Sequence, residues 1–163
     1  NELGIKSTQL YISIYMVNIL GIFTCLLCLK NKVNGIYLEN ISSYSGLLKK
    51  DSFLSFSFAI LLFSLAGLPP LSGFFGKLYI LISAIESDLY LLAVIAVITS
   101  IISAFYYLRI IKVMFFDKPV NEIYINISVI SKLIIILALI ISIFLIIVLS
   151  DFLEIINESL LIN

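Results

Sequence analysis

The sequence predicts an all-α protein: a polytopic transmembrane helical bundle of four spanning segments, the second a discontinuous helix broken at Leu68–Gly73. Three observations carry that prediction. Apolar residues make up 62% of the chain and charged residues only 12%, against roughly 45–50% and 25% in soluble domains, which excludes a water-soluble globule. Four long apolar runs alternate with short polar connections. The second run contains two adjacent prolines flanked by glycines, Gly67-Leu68-Pro69-Pro70-Leu71-Ser72-Gly73, which no straight helix accommodates.

The first span covers about residues 7–29. It is uncharged and long enough to cross a hydrocarbon core of about 30 Å. Cys25 and Cys28 lie within it. With no histidine and no second cysteine pair in the chain, they read as two small buried thiols on one helix face and not as a redox or zinc site. Asn18 has two readings, a helix-to-helix hydrogen bond or a place on a water path.

The second span covers about residues 53–85, where Lys77 is the only charge. As one straight helix it would be about 50 Å long, far more than the bilayer core. Pro69 and Pro70 interrupt the hydrogen-bond ladder, and each pushes the residue before it out of the helical region. The expectation is a helix from Phe53 to about Ala66, an extended break, and a half-helix from about Phe74 to Ile85. Irregular backbone at membrane depth survives only where protein or a wet cavity covers it, so the break predicts a packed polar interior.

A tight acidic turn, Glu86-Ser87-Asp88, leads to the third span over about residues 89–116. The fourth covers about residues 127–150 and carries no chemistry of its own. Residues 1–163 therefore read as a single membrane domain. The first connection, Lys30 to Ser52, contains SSYSGLLKKD, which suits the membrane surface. The third is DKPVNEIYIN, residues 117–126.

Charge orients the bundle. Eight of the ten basic residues, Lys30, Lys32, Lys49, Lys50, Arg109, Lys112, Lys118 and Lys132, fall in or beside the first and third connections. On the opposite side lie Glu2, Glu86, Asp88, Asp151, Glu154 and Glu158, with Lys6. This is the positive-inside pattern. It puts both termini on one side, and its alternation supports four crossings. Zero net charge gives no reason to expect a nucleic-acid partner.

Lys77 is the residue expected to carry chemistry. A charged lysine at a helix centre costs roughly 2.5–3.5 kcal/mol on insertion scales. That cost falls if the amine sheds its proton, and a lysine that can exist in both forms is suited to passing protons. The broken helix supplies freed carbonyls to hold it, as broken helices do in transporters. The plainer reading is a snorkelling interfacial lysine. It requires a helix running through Pro69-Pro70 and a lysine on the acidic side, and neither fits well. Thr99, Ser103 and Tyr106 or Tyr107 fall near one helix face, with Ser100 beside them. They could line a water path near Lys77 or hydrogen-bond between helices. Arg109 and Lys112, at the end of the third span, read as headgroup-level anchors, with an anionic lipid as a possible contact.

FSLAGLPPLSGFFGKLYIL (residues 63–81) and IESDLYLLAVIAVITSIISAFYYLRIIKVMFF (residues 85–116) resemble the C-terminal part of subunit two of proton-pumping NADH:quinone oxidoreductase, respiratory complex I. The shared pattern is AG-[IL]-PP-x-x-GF-x-x-K, a short acidic turn, a long helix and YYLR. STQLYISIYMVNILGIF (residues 7–23) resembles the preceding helix. The resemblance covers nearly the whole chain. It implies the last four helices of a fourteen-helix antiporter-like subunit, so a split gene or a fragment is expected, with a partner chain supplying the N-terminal helices.

The resemblance also implies that Lys77 is a proton relay on the family's discontinuous helix, within a proton-translocating NADH:ubiquinone reductase. This chain would hold no redox cofactor or metal. NADH, FMN, iron–sulfur clusters and ubiquinone would lie elsewhere in the complex. Expected partners are the other membrane-arm subunits and membrane lipids. Abundant Ile, Lys, Asn, Phe and Tyr, all with AT-rich codons, fit an organelle genome. The expected location is therefore the mitochondrial inner membrane, with basic connections facing the matrix and both termini the intermembrane space. The alternatives are a subunit of a plastid-type quinone reductase or of a multisubunit cation/proton antiporter, or a structural membrane subunit without a proton path.

Overall fold

A computed structural model gives the fold. It describes the backbone of residues 2–32, 35–38, 40–120 and 123–161, and the side chains of these between residues 4 and 145. The side chains of Glu2, Asp151, Glu154 and Glu158, part of the acidic side expected from charge, lie outside the described residues.

The chain is mostly helical. Helix α1 runs Glu2–Leu27, the short α2 Leu47–Lys50, α3 Ser52–Ala66, α4 Ser72–Glu86, α5 Tyr90–Phe116 and α6 Val129–Leu161. Gly4–Leu27 and Tyr90–Phe116 are long and apolar enough to cross a membrane, and Ser52–Ala66 and Val129–Leu145 are shorter apolar helices. α1 is central, packing on α3, α4 and α6, while α5 lies on α3 and α4. Most of α5 faces outward with large apolar side chains, Leu91, Ile101 and Phe105 among them.

Helix α3 starts and stops for local reasons. Asp51 caps it, its Oδ1 accepting from the Leu54 N–H at 2.8 Å and satisfying one of the orphan donors of a helix start. At the other end Gly67 takes φ +83°, a left-handed conformation that glycine adopts without penalty. The Gly67 N–H donates to Ser64 O and the Leu68 N–H to Phe63 O, which is the Schellman closure. Pro69 then prevents continuation. The Pro69–Pro70 peptide is cis.

The second helix of the pair begins earlier than the expected Phe74. Ser72 and Gly73 are helical. The Leu71 N–H donates to Leu68 O and the Phe74 N–H to Leu71 O, so a turn winds directly into α4. The irregular stretch is thus residues 67–71, not 68–73. Gly73 lies in the helix because nothing larger fits: a Cβ there would stand 1.8 Å from the Ser64 carbonyl oxygen.

The fold is not purely α. Leu29–Asn31 (β1) and Ile123–Ile125 (β2) form a two-stranded antiparallel ladder, Lys30 opposite Tyr124. Strand β1 also ends the first helix two residues short of the expected Leu29. The apolar run reads as helix throughout in the sequence. Pairing across the bundle end outweighs that local preference at Leu29. The first and third connections meet here a second time: the Val120 N–H donates to Ser45 Oγ at 3.0 Å.

A buried cluster at this end includes Leu29, Tyr44, Leu47, Leu54, Met114 and Ile135. Burial pushes the Tyr44 phenol up, and its hydroxyl donates to Leu38 O at 2.8 Å. Cys25 and Cys28 are free thiols buried in the same cluster, Cys28 just past the end of α1. At the opposite end the α4–α5 turn packs beside the start of α1, the two enclosing a space next to Thr8 and Ser87.

Candidate functional site

The site forms where α3 stops and α4 begins. Ending α3 at Ala66 leaves its last carbonyls without helical partners. Lys77, on the second turn of α4, turns back toward them, and its Nζ donates to Ala66 O at 3.3 Å. Its stem lies over Gly67: a Cβ at Gly67 would approach Lys77 Cδ to 3.0 Å. The break therefore supplies both a hydrogen-bond acceptor and the space for the side chain that uses it. Pro69 and Pro70, whose rings make the break, lie on the exposed outer side of this turn.

On the inner side Lys77 borders a cavity of about 300 Å³ lined by Tyr11, Tyr15, Leu65, Thr99, Ser100, Ser103 and Tyr107. The hydroxyls of Thr99 and Ser103 donate to carbonyls of their own helix, Ile95 O at 2.9 Å and Thr99 O at 2.9 Å. Their oxygens thus remain acceptors toward the cavity. One amine facing several hydroxyls and a free carbonyl is a set suited to holding water and exchanging protons. Among the described residues, none lining the cavity offers a thiolate, imidazole or carboxylate of the kind that holds a metal. On its other flank Lys77 borders a largely apolar groove between α4 and α5, lined by Leu78, Leu81, Val97 and Ile101.

Of the residues expected on a polar path, Thr99, Ser103 and Tyr107 stand together with Lys77. Tyr106 does not. It is 53% exposed and stacks edge-on against Phe105, because one residue of helix turns it about 100° away from Tyr107. Arg109 is exposed, away from the cavity. Lys112 Nζ lies 3.6 Å from Asp117 Oδ1, both at the end where the connections meet.

Tyr11 and Tyr15 do not stand out in the sequence. Their i, i+4 spacing on the first span was the available signal. A second missed feature is a fully buried polar chain joining four helices. Ser142 Oγ on α6 donates to Asn18 Oδ1 on α1 at 2.6 Å. Asn18 Nδ2 donates to Ser64 Oγ on α3 at 3.0 Å. Ser64 Oγ also accepts from the Gly73 N–H of α4 at 3.2 Å. Asn18 therefore serves the helix-to-helix role that the sequence allowed it.

A family profile described as NADH:quinone oxidoreductase/Mrp antiporter, TM, matches residues 1–103. The chain belongs to that family. Among curated members, the NADH-quinone oxidoreductase subunit N of Parvibaculum lavamentivorans is 48% identical over 115 residues, covering 71% of this chain and 23% of that protein. The subunit N of Pelagibacter ubique is 51% identical over 115 residues, covering 71% and 24%. A chain of the respiratory complex I structure from Thermus thermophilus with bound aureothin superposes with a TM-score of 0.67 and 25% identity, over 86% of this chain and 32% of that one. This family member spans about a quarter of the length of the curated relatives it matches. The family match includes Gly67, Pro69, Pro70, Gly73 and Lys77.

Proposed function

We propose that this chain is part of an antiporter-like membrane-arm subunit of a proton-translocating NADH:quinone oxidoreductase, and that Lys77 is its proton relay. The observation that carries the proposal is the position of Lys77. Its amine meets the Ala66 carbonyl on one side and a hydroxyl-lined cavity on the other. Charged, it has the carbonyl and any cavity water as acceptors. Neutral, it can take a proton back through that water, which is reprotonated in turn by the next water of the chain. The relatives' names favour the oxidoreductase over the antiporter that the family description also covers.

In this reading residues 1–163 are one membrane domain with four crossings, and α3 and α4 together make the second, discontinuous one. Two findings support it. The first and third connections pair through β1 and β2, as four crossings require. Lys30, Lys49, Lys50, Lys112 and Lys132 belong to that same end, which then faces the matrix. Leu68, Pro69 and Pro70 are exposed, and irregular backbone at membrane depth needs cover, so a neighbouring helix of the assembly packs on the break. The outward apolar face of α5 meets lipid or a neighbouring subunit. Arg109 and Lys112 anchor at headgroup level. NADH, FMN, iron–sulfur clusters and ubiquinone bind other subunits. The mitochondrial inner membrane is the proposed location, on composition alone.

Native-gel separation of gently solubilised membranes tests the assignment. Peptides of this chain should run with a large complex that stains for NADH oxidation. Migration apart from that activity would overturn it in favour of the antiporter or a structural subunit.

A further inference from the structure

The cavity beside Lys77 has an inward extension of about 10 Å³, close to the room one water needs. It shares Tyr11, Tyr15, Leu65 and Lys77 with the larger cavity and is closed by Asn18, Ser64 and Gly73. Asn18 and Ser64 are fully buried. Their bonding capacity is nearly filled, and what remains is specific. Both Asn18 amide hydrogens are donated, to Ile14 O at 3.0 Å and to Ser64 Oγ at 3.0 Å. Ser142 occupies one lone pair of Asn18 Oδ1. Ser64 Oγ receives two hydrogens, from Asn18 and from the Gly73 N–H, so both its lone pairs are engaged. Among the described residues its own hydrogen has only Ser72 Oγ, 3.5 Å away, at the limit of a useful contact.

We propose that this extension is a binding site for a single water, and that Ser64 and Asn18 are positioning residues for Lys77 through it. The water accepts the Ser64 hydroxyl hydrogen, whose direction is set by the two donors already on that oxygen. It also accepts a hydrogen from the Lys77 ammonium. The amine then has fixed acceptors on two sides, Ala66 O and the water, and keeps its third hydrogen for the wide cavity. The titratable groups facing Lys77 are Tyr11 and Tyr15 from α1 and Tyr107 from α5. No carboxylate or second cation is among the described lining residues. The same contacts tie the site to α6 through Ser142, so that helix helps to hold the water's seat.

The inference rests on the relay reading of Lys77, but the water itself can be observed independently. The first measurement is a map of the intact wild-type complex, fine enough to show membrane-interior waters. A peak within hydrogen-bond reach of both Ser64 Oγ and Lys77 Nζ is expected. Its absence, where comparable waters are visible nearby, overturns the proposal. The second measurement is the pH profile of proton pumping in Ser64→Ala, with Ser55→Ala as a control that removes another buried hydroxyl of α3. Ser64→Ala should move the profile by about half a pH unit or more, and Ser55→Ala should leave it in place. An unmoved profile in an assembled Ser64→Ala complex overturns the positioning role. If Ser64→Ala does not assemble, the wild-type map decides. A water present in a complex whose pumping does not need Lys77 would sink the relay and leave the water site standing.

Discussion

Lys77 Nζ donates to the carbonyl oxygen of Ala66 at 3.3 Å, eleven residues back along the chain and across a helix break. That contact exists because α3 ends one residue before Gly67 and α4 restarts at Ser72. A continuous helix would bond Ala66 O to residue 70 and carry Lys77 more than 10 Å along the axis.

Gly73→Ala should prevent assembly. The added Cβ would meet backbone, not a flexible side chain, 1.8 Å from Ser64 O. Overpacking typically costs about 1–3 kcal/mol, and here no rotamer change relieves it. A native gel of mutant membranes should show little intact complex. Wild-type amounts would contradict the close approach of α3 and α4.

Gly67→Ala should assemble but be less stable. Its φ of +83° costs a non-glycine residue roughly 1–2 kcal/mol, and its Cβ would press the Lys77 stem at 3.0 Å. Thermal inactivation of the quinone reductase activity reads the loss. In the relay reading, proton pumping should fall further than electron transfer does, because the displaced side chain is Lys77.

Tyr106 and Tyr107 make an internal comparison. Tyr107→Phe removes a hydroxyl from the cavity and should lower pumping by about two- to ten-fold, the scale of one hydrogen bond. Tyr106→Phe should have no effect, since that side chain faces outward. Equal effects would place the water path elsewhere on α5.

Asn18→Leu should cost about 1 kcal/mol of assembly stability. Interhelical hydrogen bonds in membranes average about 0.6 kcal/mol and reach about 1.7, and Asn18 bonds both Ser64 and Ser142. The variant should therefore assemble with a midpoint of thermal inactivation a few degrees lower, far milder than Gly73→Ala. A complete loss of complex would assign Asn18 a larger role than its bonds explain.

Much of this was legible in the sequence, for definite reasons. The apolar runs define the long helices because their lengths exceed what loops or strands use. Pro69, Pro70 and Gly67 mark the end of α3 because proline lacks an N–H and glycine alone reaches φ +83° without strain. Lys77 stands out because an ionisable group in an apolar run is costly. Other features depend on contacts across the bundle. Leu29 continues an apolar run, yet it pairs with Ile125 in a strand. Ser64 is one of several serines in α3, and only its partners Asn18 and Gly73 give it meaning. Tyr106 and Tyr107 are equivalent by type, and the packing of α5 alone separates them.

The most direct test of the central claim is proton pumping in an assembled Lys77→Met complex, measured beside its NADH-to-quinone electron transfer. Methionine keeps most of the stem's volume and removes the amine. The relay account predicts normal amounts of complex and a fall in pumping of about ten-fold or more. Unchanged pumping in a fully assembled complex would contradict it and leave Lys77 as a structural contact to Ala66.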